Sequence, residues 1–258
     1  MPLRRAKGSC LERLAVISDI HGNMTAFRAV LADIETRGIT RIVNLGDLAG
    51  KGPDGAAAVD LSREVCEVTV RGNWDEALAT ISGADWATPI QEQLGPERLA
   101  WLGSLPFAYD LVLGGKRVRL LHASPQGVFH RVYQRGDDAP KLAMFESTEL
   151  TDPAFVPDVV GYGDIHTTYI RTFHDRLLFN AGSVGNPLDL TMAAYAVLDA
   201  TDTSLAIGLV RVPYDVEAEL RRAKESGMAF YDEYAFELRT GHYRREMPAA
   251  TPAATVAE

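Results

Sequence analysis

The sequence predicts an α/β fold with a parallel sheet, because strand-like and helix-like segments alternate in its N-terminal part. Apolar runs typical of buried strands occur at residues 13–18, 41–45 and 66–70. Between them, residues 23–37 and 54–63 have the spacing of amphipathic helices. A series of further strand-like segments follows in the C-terminal half. This order fits two packed mixed sheets flanked by helices, although composition alone does not distinguish them from a doubly wound fold.

Each N-terminal element has its own local signal. The first helix is indicated by apolar residues three and four positions apart, namely Met24, Phe27, Val30, Leu31 and Ile34. Gly38 is placed to end this helix, since glycine is common just beyond a helix C-terminus. Asp54 is a typical N-terminal cap for the second helix. The third strand, residues 66–70, shows apolar and polar residues in alternation.

The middle of the chain follows a different pattern. Residues 76–105 lack strand signals and are predicted to form a helical insertion beside the site, with one helix over residues 88–102. Two strands at residues 108–113 and 116–121 are separated by Gly114-Gly115. A pair of glycines between two strand patterns predicts a tight β-hairpin.

The remaining segments complete one predicted domain over residues 11–247. Residues 125–157 are polar and rich in loops, and we interpret them as a candidate lid with one helix near residues 137–145. Strands at residues 158–161, 168–173, 177–179, 194–198 and 204–212 and a helix at residues 215–224 are predicted after it. Residues 248–258, rich in Ala, Pro and Thr, are predicted to be disordered.

The composition narrows the classes of function. The chain has 258 residues, 47% of them hydrophobic and 24% charged, and a formal net charge of −9. That charge argues against a general nucleic-acid binder or a protein that binds anionic membranes. No apolar stretch approaches the roughly 18 residues that a membrane span needs. With only Cys10 and Cys66, a disulfide framework is not expected, and we predict a cytoplasmic location.

Six apolar runs each end in a short segment with residue types that bind metals or phosphate. These segments are Ser18–His21, Leu45–Asp47, Arg71–Asp75, Leu121–Ala123, Gly163–His166 and Asn180–Val184. We expect the corresponding loops to converge on one edge of a sheet. Carboxylate, amide and imidazole ligands together suit Mn, Fe, Zn or Co rather than Ca or a thiolate site. Pairs of such ions hydrolyse phosphate esters.

The series resembles the calcineurin-like metallophosphoesterases, whose pattern is D-x-H, G-D, G-N-H-D/E, a lone His and G-H-x-H. The resemblance extends from about Leu14 to about Pro187 and is closest to the compact bacterial phosphodiesterases and phosphatases. Two positions depart from the pattern. Trp74 stands where many members have His, and Asp164 stands where nearly all have the first His of the last block. The implied fold is a four-layer αββα sandwich of two mixed sheets.

The resemblance also implies two divalent ions, Mn first, with Fe, Zn, Co or Mg as alternatives, and a hydroxide between them that attacks phosphorus. It assigns Asp19, His21, Asp47 and His166 to one ion, and Asp47, Asn73, His122 and Asp164 to the other. Among these, Asp47, Asn73 and His122 are the candidate catalytic residues. Because an Asp side chain is shorter than imidazole, Asp164 would bind weakly, bind through water or require a backbone adjustment. The alternative is that Asp164 binds nothing and the second site is empty or weak.

Three residues are candidates for substrate contact: Asn73, Trp74 and His130 of the candidate lid. Indole carries only a donor N–H, so Trp74 is not expected to protonate a leaving group near neutral pH. Three carboxylates and a hydroxide would balance the charge of two divalent ions. A neutral centre favours a diester monoanion over a monoester dianion in relative terms.

We therefore predict a metal-dependent phosphoesterase that acts on small phosphate esters, with diesters favoured. Two alternatives are a scaffold of the same fold with a weakened metal site, as in a retromer subunit, and a protein phosphatase. The natural substrate and the oligomeric state stay open at this stage.

Overall fold

The computed structural model describes residues 11–244, in which ten strands form two mixed sheets of five. The strands are β1 (Glu12–Ile17), β2 (Arg41–Asn44), β3 (Val68–Thr69), β4 (Ala108–Leu113), β5 (Lys116–Leu121), β6 (Val159–Tyr162), β7 (Tyr169–Phe173), β8 (Arg176–Asn180), β9 (Ala193–Ala200) and β10 (Leu205–Val212). The first sheet has the order β10-β9-β1-β2-β3, and the second has the order β4-β5-β6-β8-β7. Strands β1 to β3 are parallel, as the alternation of strands and helices predicted.

Seven helices accompany the sheets within residues 11–244. They are α1 (Met24–Thr36), α2 (Gly55–Val65), α3 (Asn73–Thr80), α4 (Thr88–Ser104), α5 (Ala139–Ala143), α6 (Val216–Glu225) and α7 (Tyr231–Thr240). None of these helices is both long and apolar enough to cross a membrane.

The core lies on both faces of the first sheet, which explains the uninterrupted apolar run of β1. Leu14 and Val16 pack in the cluster between the two sheets, whereas Ala15 and Ile17 pack in a cluster with α1. All four side chains are fully buried. Successive residues of a strand point to opposite faces, so a strand covered on both sides needs an apolar residue at every position.

The outer face of the second sheet is covered by residues 125–157. Val132, Met144 and Phe145 of this segment are buried against Val160 and Leu178 of the sheet. The segment thus forms the outer layer on this side, and the predicted αββα sandwich is confirmed. Whether it also moves as a lid stays a prediction.

Some boundaries differ from the sequence-based prediction. Strand β3 has two ladder residues instead of five, and α3 begins at Asn73, ahead of the predicted insertion. Helix α4 is interrupted at Gly95, whose φ of 71° breaks the helix before Pro96. The hairpin between β4 and β5 is confirmed, with positive φ at both Gly114 and Gly115.

Helix α7 was not predicted, although its sequence carries a helical signal. Tyr234 and Leu238 lie four positions apart and pack with Leu220 of α6. Gly241 ends the helix in the left-handed conformation. The single-domain boundary at residues 11–247 stays a prediction, and the tail at residues 248–258 lies outside the described residues.

Candidate metal centre

Six of the seven predicted metal ligands lie in loops at the carboxyl ends of strands. The seventh, Asn73, begins α3. Asp19 and His21 follow β1, Asp47 follows β2, His122 follows β5, and Asp164 and His166 follow β6. Because β1 and β2 are parallel, and β5 and β6 are parallel, each pair of loops emerges at one edge of its sheet. The two edges face each other, and the structure brings the seven side chains into one cluster, in which six are buried and Asn73 is half-buried.

The backbone of these loops is left-handed at five of the predicted ligands. These are Asp19 (φ 55°), His21 (φ 51°), Asp47 (φ 58°), Asp164 (φ 65°) and His166 (φ 56°). Non-glycine residues rarely adopt this conformation, and they do so mostly where the surrounding structure imposes it at functional sites. In an extended loop, residues two apart point to the same side, and this geometry would be the simplest expectation for Asp19 and His21 and for Asp164 and His166. The structure differs: these side chains converge through tight turns.

Hydrogen bonds between the loops hold this conformation. The backbone N–H of Asp19 donates to Gly46 O at 2.9 Å, and that of His21 donates to Asp47 O at 2.9 Å. The turns after β1 and β2 are therefore tied together, and the strained backbone is maintained by the fold.

One group of candidate ligands consists of Asp19, His21 and His166. The Nε2 atoms of His21 and His166 are 3.2 Å apart. Asp19 Oδ1 lies 3.2 Å from His166 Nε2 and 3.7 Å from His21 Nε2. All three residues are buried. These are three of the four residues in the first predicted ligand set, and Asp47 is the fourth.

A second group consists of Asp19, Asp47 and His122. His122 Nε2 lies 3.5 Å from Asp47 Oδ1 and 2.9 Å from the amide oxygen of Asn73. The other carboxylate oxygen of Asp47 lies 3.7 Å from His21 Nε2. Asp47 therefore stands between the two groups, in the position that the sequence predicted for a bridging ligand.

The donor atoms of this cluster fit divalent cations. Each imidazole places Nδ1 near a backbone carbonyl: Leu45 for His122 at 2.8 Å, Asn186 for His166 at 2.5 Å and Ala49 for His21 at 3.4 Å. For His21 and His166, a proton on Nδ1 leaves the lone pair of Nε2 facing inward, as in histidines that bind metals. His122 Nε2 lies within hydrogen-bond distance of the acceptor oxygen of Asn73, so His122 would release a proton on binding an ion. Asp19 Oδ1 is buried and has no hydrogen-bond donor. A cation would satisfy these inward-facing acceptors.

The pKa values of residues in the cluster are shifted because they are buried and several of them carry charges close to one another. Burial alone would lower the pKa of His122, but the charges of Asp47, Asp19 and Asp164 outweigh it and raise the pKa to about 9. For His21, burial and the neighbouring His166 lower the pKa. Burial raises the pKa of Asp47 well above its usual range. Metal ions would compete with protons for these groups.

Asp75 supports the centre, although the sequence assigned it no role. Its carboxylate accepts backbone N–H hydrogen bonds from Asp47 at 2.8 Å, Leu48 at 3.1 Å and Gly72 at 2.9 Å. Asp75 is fully buried. Its position three residues after Gly72, at the start of α3, is a usual place for an acidic residue that caps a helix. Here the same carboxylate also positions the loop that carries Asp47.

Asp164 lies at the edge of the cluster and is bound by Arg131, a residue that sequence reasoning missed. Arg131 Nε donates to Asp164 Oδ2 at 2.8 Å, and Arg131 Nη2 donates to Asp164 Oδ1 at 2.7 Å. Asp164 Oδ1 is also 3.9 Å from His122 Nε2. These hydrogen bonds raise the pKa of Arg131 further above its usual range.

Of the three residues predicted to contact substrate, two lie at the centre and one is exposed. Asn73 and Trp74 adjoin the centre: the indole of Trp74 meets the His21 ring edge-on at 5.9 Å and the Trp86 ring at 5.3 Å. His130 is exposed, and its side chain makes no hydrogen bond or ion pair within residues 11–244. A role for His130 in substrate binding stays a prediction.

A further support comes from α7, which the sequence analysis did not identify. Glu237 of this helix accepts hydrogen bonds from Lys51 Nζ at 3.3 Å and from the side-chain amide of Asn186 at 3.1 Å. The backbone carbonyl of Asn186 in turn accepts the hydrogen bond from His166 Nδ1. The C-terminal helix is thus connected to a candidate ligand through two hydrogen bonds.

Comparisons with known proteins support the family resemblance and the fold. The family model described as the calcineurin-like phosphoesterase superfamily domain matches residues 13–203. The uncharacterized protein MJ0912 of Methanocaldococcus jannaschii is 31% identical over 234 residues, which cover 79% of this chain and 88% of that protein.

Two solved structures share the fold. The metallophosphoesterase from Sphaerobacter thermophilus has a TM-score of 0.73 and 24% identity, covering 89% of this chain and 99% of that chain. Hypothetical protein PH1004 from Pyrococcus horikoshii OT3 has a TM-score of 0.73 and 19% identity, covering 88% of this chain and 97% of that chain. The order of the six motifs, the two sheets and the match over residues 13–203 lead to one assignment: the chain belongs to the calcineurin-like phosphoesterase superfamily.

Proposed function

We propose that this protein is a metal-dependent phosphoesterase that hydrolyses small phosphate esters at the cluster around Asp47. The observation that carries the proposal is the buried cluster of carboxylates and imidazoles around Asp19 Oδ1. Within residues 11–244, Asp19 Oδ1 has no hydrogen-bond partner, and the Nε2 atoms of His21 and His166 lie 3.2 Å apart beside it. Cations would make this arrangement stable, and the family assignment supplies the reaction class.

The two groups of acceptors support two divalent ions, with Mn proposed first and Fe, Zn, Co or Mg as alternatives. Asp19, His21, Asp47 and His166 would hold one ion. Asp47, Asn73 and His122 would hold the other. When bound, such ions lower the pKa of water to give a hydroxide nucleophile and neutralise phosphoryl oxygens.

The residues of this chain determine how a phosphate ester would sit there. Asp47 separates the two groups by presenting one oxygen to each, 3.7 Å from His21 Nε2 and 3.5 Å from His122 Nε2. Trp74 is held near the centre, since its backbone N–H donates to Asp47 Oδ1 at 2.8 Å. Because indole is not an acid near neutral pH, Trp74 would pack against the leaving group but would not protonate it. We therefore expect the best rates with good leaving groups.

The proposed preference for diesters needs one adjustment. It assumed that Asp164 adds an uncompensated negative charge to the centre. Arg131 lies against Asp164 and balances that charge. We propose that diesters are still favoured, but by less than three carboxylates alone would give.

The alternatives have weaker support. A scaffold without metal would keep Asp19 Oδ1 buried without a donor, at a cost of about 1–3 kcal/mol. No feature of residues 11–244 specifically favours a protein phosphatase. The net charge of −9 continues to argue against general nucleic-acid or anionic-membrane binding, and a cytoplasmic location stays a proposal.

The test is hydrolysis of p-nitrophenyl phosphate with Mn²⁺, after chelation and in the variant Asp47→Asn. We expect chelation to abolish hydrolysis and Asp47→Asn to lower kcat by about two orders of magnitude or more, since metal ions supply several kcal/mol of stabilisation. A matched control is Asp175→Asn in the exposed turn between β7 and β8, which should leave the rate unchanged. Full activity of metal-free Asp47→Asn protein would refute the proposal.

A further inference from the structure

The ion pair of Arg131 and Asp164 joins the layer outside the second sheet to the metal centre. Arg131 belongs to residues 125–157, and Asp164 belongs to the loop after β6. The Asp164 side chain is 2% exposed, whereas the Arg131 side chain is 45% exposed. A carboxylate buried to this degree requires a partner. Asp164 obtains it from a guanidinium that remains accessible to solutes.

The loop around Asp164 places that guanidinium beside the candidate ligands. The backbone N–H of Asp164 donates to Asp19 Oδ2 at 3.1 Å, and Asp164 Oδ1 lies 3.9 Å from His122 Nε2. Asp164 therefore contacts both groups of ligands. Since Arg131 is bound through two parallel hydrogen bonds, the plane of its guanidinium is also set by Asp164.

Asp164 occupies one edge of the guanidinium. Nε and one N–H of Nη2 bind its carboxylate, and Nη1 makes no hydrogen bond of normal geometry to any of residues 11–244. The hydroxyl of the exposed Tyr133 lies near the guanidinium and would share its remaining donors with a ligand. An arginine side chain has five N–H donors, so three of them remain for a ligand. Two neighbouring N–H groups of a guanidinium match the spacing of two oxygens of a phosphate.

From this geometry we propose that Arg131 binds non-bridging oxygens of the substrate's phosphate group and that Asp164 is the positioning residue that orients it. The inference rests on the proposed phosphoesterase function. It also assigns Asp164 a role different from the metal ligand that the sequence predicted. The pair is neutral as a unit, so it adds donors for phosphate without changing the net charge of the centre.

The test measures binding of inorganic phosphate by calorimetry, together with metal content and kinetics, in Arg131→Met. Losing a bidentate, charge-assisted contact should weaken phosphate binding and raise KM for p-nitrophenyl phosphate about tenfold or more, with the metal content unchanged. Arg131→Lys should fall between wild type and Arg131→Met, since an ammonium cannot reproduce the planar fork. Asp164→Asn, which removes the charge that orients Arg131, should weaken phosphate binding as well.

Arg135 provides the matched control, because it is an exposed arginine of the same segment with no hydrogen bond or ion pair within the described residues. Arg135→Met should leave phosphate binding, KM and metal content unchanged. Thermal melting tests whether each variant is folded. If Arg131→Met does not fold, the same measurements on Arg131→Lys test the inference.

Two results would overturn the inference. One is unchanged phosphate affinity in folded Arg131→Met. The other is an additional equivalent of Mn²⁺ bound by that variant without loss of phosphate affinity, which would make Asp164 a metal ligand. Failure of the proposed function looks different: the wild type would bind phosphate in an Arg131-dependent manner and hydrolyse no phosphate ester.

Discussion

The carboxylate of Asp75 accepts a hydrogen bond from the backbone N–H of Asp47 at 2.8 Å. The two residues are 28 positions apart, and the contact supports Asp47 in its left-handed conformation with φ of 58°. Asp75 belongs to neither group of candidate ligands, yet its hydrogen bond positions the proposed bridging ligand Asp47.

Replacing Asp75 by Ala should destabilise the fold and lower activity together. The change leaves three buried N–H groups without an acceptor. At about 1–3 kcal/mol for each unsatisfied group, we expect the free energy of unfolding to fall by about 3 kcal/mol or more. Chemical denaturation measures this loss, and Asp175→Asn is again the control. Equal stability of Asp75→Ala and wild type would contradict the role assigned to Asp75.

Replacing Asp19 by Asn should remove most of the thermal stabilisation that Mn²⁺ gives. Asp19 belongs to both groups of candidate ligands, its Oδ1 lies 3.2 Å from His166 Nε2, and an amide does not supply the negative charge of the carboxylate. For wild type, Mn²⁺ at 100 times its Kd should add about 2.7 kcal/mol, or roughly 5–10 °C in Tm for a chain of this size. Calorimetric melting of chelated and Mn²⁺-loaded samples measures this increase. An undiminished Tm increase in Asp19→Asn would count against this ligand.

Replacing Arg131 by Met should increase the preference for diesters. The change uncovers the charge of Asp164, and the added repulsion acts more strongly on a monoester dianion than on a diester monoanion. We expect the ratio of kcat/KM for bis(p-nitrophenyl) phosphate over p-nitrophenyl phosphate to rise relative to wild type. Both substrates release the same leaving group, so the ratio reports on the charge and size of the group at phosphorus. A ratio that falls would refute the charge argument and leave the metal centre intact.

Replacing Glu219 by Gln should alter the dependence of stability on pH. Glu219 of α6 is buried and accepts hydrogen bonds from Thr25 at 2.7 Å and Tyr234 at 3.1 Å. Burial raises its pKa, so the folded state holds a proton that the unfolded state has released. The stability it contributes is complete below the pKa of the unfolded chain and is lost as pH rises through the raised pKa.

The free energy of unfolding of Glu219→Gln should therefore increase relative to that of wild type as pH rises from about 4 to about 7. Denaturation series at several pH values measure this difference. The exposed Glu225→Gln on the same helix is the control and should run parallel to wild type. A difference between Glu219→Gln and wild type that is constant over this range would disprove the assignment.

The sequence by itself determined the elements and the residue types of the centre. The apolar run of β1 indicated a strand covered on both faces, and Gly114-Gly115 indicated the hairpin. The six motifs indicated the family and all seven candidate ligands. These signals are local: apolar periodicity reports the burial of a segment, and a short motif reports which chemical groups stand at its end.

Only the tertiary structure decided how the centre is supported. Arg131 and Asp164 are 33 positions apart, Asp75 and Asp47 are 28 apart, and Glu237 reaches Asn186 across 51. No periodicity links such pairs, because each contact depends on the path of the chain through both sheets. Sequence patterns do not indicate the left-handed backbone of the ligands for the same reason. Hydrogen bonds from neighbouring loops impose this conformation on residues that would not adopt it alone.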